Sequence, residues 1–190
     1  MIYLILLVLE ILVLFLLMRK LLPKIYRRLG IWLFSVLFLP GTFLHEISHF
    51  LTALFLLVPV GQIELMPERT ESGLKMGSVP IGKTDPIRRT LIGVAPVIFG
   101  LGVLFITTPF TIPIWAHAYI AFEVGNTMFS SKKDLEGSII VFIVLATIIS
   151  ILYLMGVRID FNFDYSIIQR ADLFLAIPVG IDFLLLLILR

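Results

Sequence analysis

The sequence predicts an all-α polytopic membrane protein with about six membrane segments and a small β-hairpin after the second segment. Hydrophobic residues make up 59% of the 190 residues and charged residues only 15%, against about 45–50% and about 25% in soluble domains. The apolar residues also occur in runs close to the roughly 20 residues that a helix needs to cross a bilayer. The chain has no cysteine, which excludes a disulfide scaffold, a cysteine-ligated zinc site and a thiol nucleophile. The composition therefore excludes a soluble monomer.

The first predicted segment covers residues 2–18 and carries a single charged residue, Glu10. Residues 19–28 then supply five basic side chains and no acidic one. Because the basic residues follow the apolar run instead of preceding it, we interpret this run as a retained span and not as a signal peptide. Basic loops favour the cytoplasmic side, so we expect the N-terminus outside, in the plasma membrane of a prokaryote. The expected partner of these charges is the lipid bilayer, and nucleic acid is not expected.

The second predicted segment covers residues 31–58. As one straight helix it would be about 42 Å long, which is too long for a bilayer without a tilt or a break. Pro40 and Gly41 predict the break, because proline removes a backbone donor and clashes with the preceding turn. The following polar stretch predicts a β-hairpin over residues 62–79, since residues 62–65 and 74–76 alternate in polarity around a turn at residues 67–73.

The rest of the chain predicts four further membrane segments, of which the one at residues 114–129 is short. A mixed-charge loop is expected at residues 158–172. We expect one membrane domain over residues 1–190, with a core at about residues 31–156 flanked by the segments at residues 2–18 and 173–189. The remaining predicted segments are residues 91–108, 114–129, 138–155 and 173–189.

The residues that carry chemistry concentrate in the second segment, which contains the pattern His45-Glu46-Ile47-Ser48-His49. Two histidines four residues apart differ by about 40° around a helix, so both imidazoles can reach one metal ion. The glutamate between them can take a proton from an attacking water molecule. Ionisable residues inside a membrane segment are costly and indicate a functional site. The alternative is a pair of buried histidines hydrogen-bonded to neighbouring helices, with Glu46 as their counter-ion.

Catalytic zinc takes three protein ligands and leaves a fourth position for water. A third ligand must therefore come from another part of the chain, and the residues alone leave its identity open. The candidates are Asp134, Glu123, His117, Glu136 and Glu10.

The stretch from Pro40 to Gly137 resembles the site-2 protease family of intramembrane zinc metalloproteases. The resemblance depends on the His45–His49 pattern, on the small-residue segment at residues 93–96, and on Asn126 standing eight residues before Asp134. It implies that Asp134 is the third zinc ligand. The sequence departs from the family in lacking prolines between Asn126 and Asp134, and in having leucine instead of glycine after Asp134.

Together these features predict an intramembrane zinc metalloendopeptidase that cleaves transmembrane or membrane-adjacent peptides with metal-activated water. His45, His49 and Asp134 would hold Zn²⁺, and Glu46 would act as general base and then as general acid. Asn126 would orient the water or bind a substrate carbonyl, unless it makes a helix–helix hydrogen bond. The hairpin could hold an extended membrane-protein substrate as an edge strand. The alternative function is a non-catalytic membrane scaffold or pseudoprotease of the same fold.

Overall fold

The computed structural model describes residues 2–70, 73–107, 112–131, 133–136, 138–156 and 165–189. In these residues the fold is helical apart from one short pair of strands, so the predicted helical class is confirmed. The elements in chain order are α1 (Ile2–Leu37), α2 (Leu39–Phe55), β1 (Glu68–Thr70), β2 (Gly73–Lys75), α3 (Pro86–Ile106), α4 (Ile114–Thr127), α5 (Ser138–Leu154) and α6 (Tyr165–Ile188).

Two of the described helices are long and apolar enough to cross a membrane, namely α3 and residues 169–188 of α6. Helix α5 is apolar but shorter. Most side chains of α5 are nevertheless exposed, including Tyr153 at 76% and Leu154 at 83%. Apolar surface of this extent is unfavourable in water, and it indicates association with a membrane.

Helix α1 continues through the basic residues 19–28, where a loop was expected. That expectation is wrong because Lys, Arg and Leu are good helix formers whatever the polarity of the stretch. The helical backbone is interrupted at Gly30, with φ 73° and ψ 176°, a conformation that glycine adopts without strain. The ring of Tyr26 lies 5.6 Å from that of Phe34. Residues eight apart in one straight helix would be about 12 Å apart along its axis, so the chain turns back at Gly30.

The predicted break in the second segment lies between Leu37 and Leu39. Pro40 falls in the first turn of α2, where its missing N–H has no helical acceptor to lose. The N–H of Gly41 has no acceptor within the helix either, and it donates to Glu123 Oε2 at 3.2 Å. A Cβ on Gly41 would lie only 3.0 Å from the Glu123 carbonyl oxygen, so the break brings α2 against α4.

Helix α2 runs in the same direction as α4. Three contacts follow one another in the same order along α4 and along the chain from Leu37 into α2. They are the hydrogen bonds from Tyr119 to the Leu37 carbonyl, from Gly41 to Glu123, and between His45 and the Thr127 carbonyl. The start of α2 therefore lies beside the middle of α4, and His45 lies beside the end of α4.

Between α2 and α3 the chain forms a narrow antiparallel ribbon, residues 60–81. Strands β1 and β2 pair with Glu68 opposite Lys75, and two isolated bridges join Val60 to Ile81 and Glu64 to Ser78. The predicted turn at residues 67–73 was misplaced, because β1 occupies residues 68–70, which are all polar and lack the alternation that indicates a strand. Residues 71 and 72 lie outside the described residues.

Two helices start earlier than their apolar runs. Asp85 accepts hydrogen bonds from the N–H groups of Ile87 at 3.1 Å and Arg88 at 3.0 Å, which satisfies donors of the first turn of α3. The bond from Arg88 lowers the pKa of Asp85. Helix α6 begins at Tyr165, so the loop predicted at residues 158–172 is helical from residue 165, and its earlier part lies outside the described residues.

Helices α1 and α6, predicted as flanking segments, pack against each other and against α4. The Lys24 ammonium donates to the Leu189 carbonyl at 3.3 Å. One buried cluster joins α1, α3, α4 and α6 and consists of Leu14, Leu104, Ala121, Val124, Met128 and Leu175. This packing places α4 at the centre of the molecule.

Candidate metal centre

The two histidines of the α2 pattern lie on one face of the helix, as predicted. The Nε2 atoms of His45 and His49 are 3.2 Å apart. Their ring planes are inclined at 80°, so the two rings meet edge to face with both Nε2 atoms turned to the same point.

Each imidazole is held from behind by a backbone carbonyl. The Nδ1 atom of His45 lies 2.7 Å from the Thr127 carbonyl oxygen, and that of His49 lies 2.8 Å from the Ile92 carbonyl oxygen. A carbonyl can only accept, so we assign the proton to Nδ1 in both rings and a lone pair to both Nε2 atoms. Two lone pairs cannot bond each other at this distance. Metal-ligating histidines are commonly held in this way.

Both carbonyls are available for a structural reason. Thr127 is the last residue of α4, where carbonyls have no partner within the helix. Ile92 stands four residues before Pro96 in α3, and proline has no N–H to offer to that carbonyl. Pro96 was not identified in this role from the sequence, although its distance from Ile92 was a usable signal.

The third member of the group is Asp134, in the loop between α4 and α5. Its Oδ2 atom lies 3.8 Å from His45 Nε2 and its Oδ1 atom lies 3.7 Å from His49 Nε2. The Ser131 N–H donates to Asp134 Oδ2 at 2.6 Å, and the Asp134 N–H donates to the Ser131 hydroxyl at 3.3 Å.

The loop reaches α2 across a position of α3 that has no side chain. A Cβ on Gly93 would collide with the carbonyl oxygen of Asp134. The Ser130 hydroxyl donates to the Gly93 carbonyl at 2.6 Å, which fastens the loop to α3 at this point. Gly93 therefore permits the approach that brings Asp134 to the histidines.

The group formed by His45, His49 and Asp134 could hold a metal ion. One ligand atom from each residue lies within 4.8 Å of the other two. Ligand atoms around a tetrahedral zinc ion are about 3.3 Å apart, and the two Nε2 atoms are separated by 3.2 Å. The predicted set of three ligands is therefore brought together by the fold.

Glu46 lies next to this group but is not part of it. The residue is buried, with 8% of its surface exposed. A Cβ placed on Gly77 of the ribbon would lie 2.9 Å from Glu46 Cγ and 3.1 Å from its Oε1. The Glu46 carboxyl group thus lies beside the ribbon backbone.

The other candidate ligands lie elsewhere in the fold. Glu123 accepts the hydrogen bond from Gly41. The ring centroid of His117 lies 6.3 Å from that of Phe174. Glu136 lies 3.4 Å from Arg89. None of these three residues, nor Glu10, belongs to the metal-type group found among the described residues.

Asn126 makes the helix–helix contact instead of facing the metal group. Its Nδ2 amide donates to Asp182 Oδ1 at 2.8 Å and to the Phe122 carbonyl at 2.9 Å. These bonds direct the Asn126 amide towards α6. It therefore does not face the metal group, as the predicted substrate role would require. Asp182 was not identified from the sequence, because a lone carboxylate in an apolar run gives no sign of its partner.

Comparisons with protein-family models, with curated proteins and with solved structures find no match. The function is therefore argued from the site itself.

Proposed function

We propose that this protein is an integral-membrane zinc endopeptidase, like the members of the site-2 protease family that its sequence resembles. One observation carries the proposal. Two imidazole Nε2 atoms and the Asp134 carboxylate converge, while both Nδ1 atoms are held by backbone carbonyls. A pair of histidines that served only to join helices would not need to turn both remaining nitrogens towards a carboxylate.

Zinc is the metal favoured by this donor set. His45 and His49 offer neutral imidazoles and Asp134 offers a carboxylate, whereas magnesium and calcium prefer oxygen ligands. Three protein ligands leave a fourth position open, which distinguishes catalytic from structural zinc sites. A bound zinc ion would lower the pKa of a water molecule and polarise the scissile carbonyl.

Glu46 is the proposed general base. It follows His45 in the sequence and is buried beside the metal group, so it can take a proton from the attacking water and pass it to the leaving amine. The chain thus supplies both the metal ligands and the proton carrier from one helix and one loop.

The proposed substrate is a transmembrane or membrane-adjacent peptide. The metal group lies among α2, α3 and the end of α4, and α3 is one of the helices long and apolar enough to cross a membrane. A helical substrate must be locally unwound before its peptide bonds can be attacked, because its amides are hydrogen-bonded within the helix. The ribbon passes Glu46 at Gly77 and can hold such a peptide extended by adding it as a strand.

The test is the Glu46→Gln variant. It should bind zinc as the wild type does, because Glu46 is not a ligand. It should lose activity by about 10²- to 10⁴-fold, the usual contribution of a general base. Zinc content is measured on purified protein, and activity is measured with a panel of fluorogenic transmembrane peptides in detergent micelles.

Glu136→Gln is the matched control, because this carboxylate is exposed and pairs with Arg89. It should keep both zinc and activity. Wild-type turnover by Glu46→Gln would reject the proposed catalytic role. Zinc binding without cleavage of any peptide by the wild type would favour the non-catalytic scaffold.

A further inference from the structure

Asp182 is a completely buried carboxyl group on α6, with 0% of its surface exposed. Its Oδ1 atom accepts the hydrogen bond from Asn126, and its Oδ2 atom has no hydrogen-bond partner among the described residues. Burying a carboxyl group at this depth is costly, and such residues in apolar segments tend to serve function. The proposed chemistry makes no direct use of it.

Asn126 connects Asp182 to the metal group through the backbone of α4. It belongs to the last turn of that helix, and the next residue is Thr127. The Thr127 carbonyl accepts from His45 Nδ1 at 2.7 Å. A rotation of this last turn would move the carbonyl, and with it the imidazole that the carbonyl orients.

Helices α4 and α6 approach each other closely next to Asn126. A Cβ on Gly125 would lie 2.8 Å from the Pro178 Cβ atom. Small residues let two helices approach closely, and side-chain contacts between the helices contribute to their rotation and register. A buried polar pair can determine both, and Asn126 with Asp182 is such a pair.

We propose that Asp182 is a positioning residue of the metal centre, which holds Asn126 and thereby fixes the Thr127 carbonyl that orients His45. The inference rests on the proposed metal centre and gives the last helix a part in it. Hydrogen-bond partners behind metal ligands typically contribute about 10- to 100-fold to metal affinity. Loss of the Asp182 contact should weaken metal affinity by a factor in this range, although all three ligands remain.

The test measures Zn²⁺ and Co²⁺ binding by the full-length protein in detergent, by competition with a chelator. The visible absorption of bound Co²⁺ reports the geometry of the ligands. Asp182→Leu should weaken binding about 10- to 100-fold and alter the Co²⁺ spectrum. Asp182→Asn keeps an acceptor oxygen and should restore both. Asp172→Leu removes a carboxyl group from the same helix without touching Asn126, and it should leave both unchanged.

The double variant Asn126→Leu/Asp182→Leu removes both partners and leaves no buried polar group of the pair unsatisfied, so it remains informative if Asp182→Leu alone does not fold. It should bind zinc no more weakly than Asn126→Leu, because the two residues act through one contact. Additive losses would overturn the inference. So would a folded Asp182→Leu variant with wild-type affinity and spectrum, or an Asp182→Asn variant as impaired as Asp182→Leu. A wild type that binds neither metal would instead overturn the metal centre itself.

Discussion

At the scale of single residues, two carboxyl groups beside α2 make different contacts although the sequence offers both as metal ligands. Asp134 faces the Nε2 atoms of His45 and His49. Glu123 accepts the N–H of Gly41 in the first turn of α2, where helical donors lack partners. Glu123 thus stabilises the start of the helix that carries the histidines.

Asp134→Ala should lose both metal and activity, because it removes a charged ligand from a group of three. The loss of zinc affinity should exceed the roughly 100-fold expected for a partner behind a ligand. Glu123→Gln keeps an acceptor for Gly41 and should keep the metal, and so should His117→Ala. Zinc content after purification, followed by chelator competition, distinguishes these results.

Loss of metal from Glu123→Gln, with metal retained by Asp134→Ala, would show that Glu123 is the third ligand and that Asp134 is not. That result would preserve a zinc protease but weaken the resemblance to site-2 proteases. Thermal unfolding of each variant serves as the control for general loss of structure.

At the scale of elements, the metal group depends on how closely the loop before α5 approaches α3. Gly93 has no side chain to keep the Asp134 backbone away. Pro96, one turn later in α3, frees the Ile92 carbonyl for His49. One turn of α3 therefore supports both His49 and Asp134 without contributing a ligand.

Gly93→Ala should displace the loop and weaken zinc binding by at least about 10-fold, because the added Cβ meets backbone that cannot rotate away. Gly102→Ala on the same helix is the matched control, since a Cβ there would meet nothing within 4 Å. The control should bind zinc normally and be equally or more stable, because alanine favours helix over glycine by about 1 kcal/mol. Equal zinc affinities for the two variants would show that the close approach at Gly93 is not required.

The sequence predicts which segments are helical more reliably than where they begin. Hydropathy finds the apolar part of α3 but not its polar first turn, although Asp85 followed by Pro86 is a recognisable helix start. The basic residues of α1 were assigned to a loop because their charge suits a membrane surface, yet nothing in Lys or Arg opposes a helix. The reversal at Gly30 depends on one backbone conformation, which composition does not reveal.

The site was predictable where one local pattern specifies it. Spacing alone places His45 and His49 on one face of a helix, and the resemblance supplies Asp134. The orientation of the rings was not predictable, because it depends on carbonyls of Ile92 and Thr127 that any residue could provide. The pairing of Asn126 with Asp182 is a contact between distant segments, for which a single sequence carries no signal.

At the scale of the whole molecule, residues 2–29 of α1 run in the same direction as α4 and α6, and α2 runs with α4. Leu14 shares a cluster with Leu175, and further along both helices Lys24 contacts Leu189. The seven residues between Gly30 and Phe38 span about 10 Å as a helix, which is too short to cross the roughly 30 Å hydrocarbon core. We therefore expect residues 31–55 to enter and leave the membrane on one side, where a full crossing was predicted.

This topology makes a prediction that single cysteines can test, because the chain has no cysteine of its own. Arg28→Cys, Lys83→Cys and Leu189→Cys should all be labelled by a membrane-impermeant thiol reagent from the cytoplasmic side, to which basic residues are drawn. Ile112→Cys, at the junction of α3 and α4, should be labelled from outside. Inverted vesicles and intact cells give the two directions of access.

Labelling of Arg28→Cys in intact cells would show that the orientation is the opposite of the expected one. Labelling of Lys83→Cys from the side opposite to Arg28→Cys would instead show that residues 31–58 cross the membrane. In the expected arrangement Asp182 lies about two helical turns, or roughly 10 Å, before Leu189. The metal group would then lie in the cytoplasmic half of the bilayer.

The two carbonyls that orient His45 and His49 have a consequence for evolutionary drift. Every amino acid carries a carbonyl, so a residue of similar size at position 92, where the side chain is buried, or at position 127 leaves the orientation of the imidazoles unchanged. What must be kept is the position of the two backbone segments, which depends on Pro96 in α3 and on the residue at which α4 ends. Natural variants of this protein should therefore tolerate exchange of Ile92 or Thr127 more readily than exchange of Pro96.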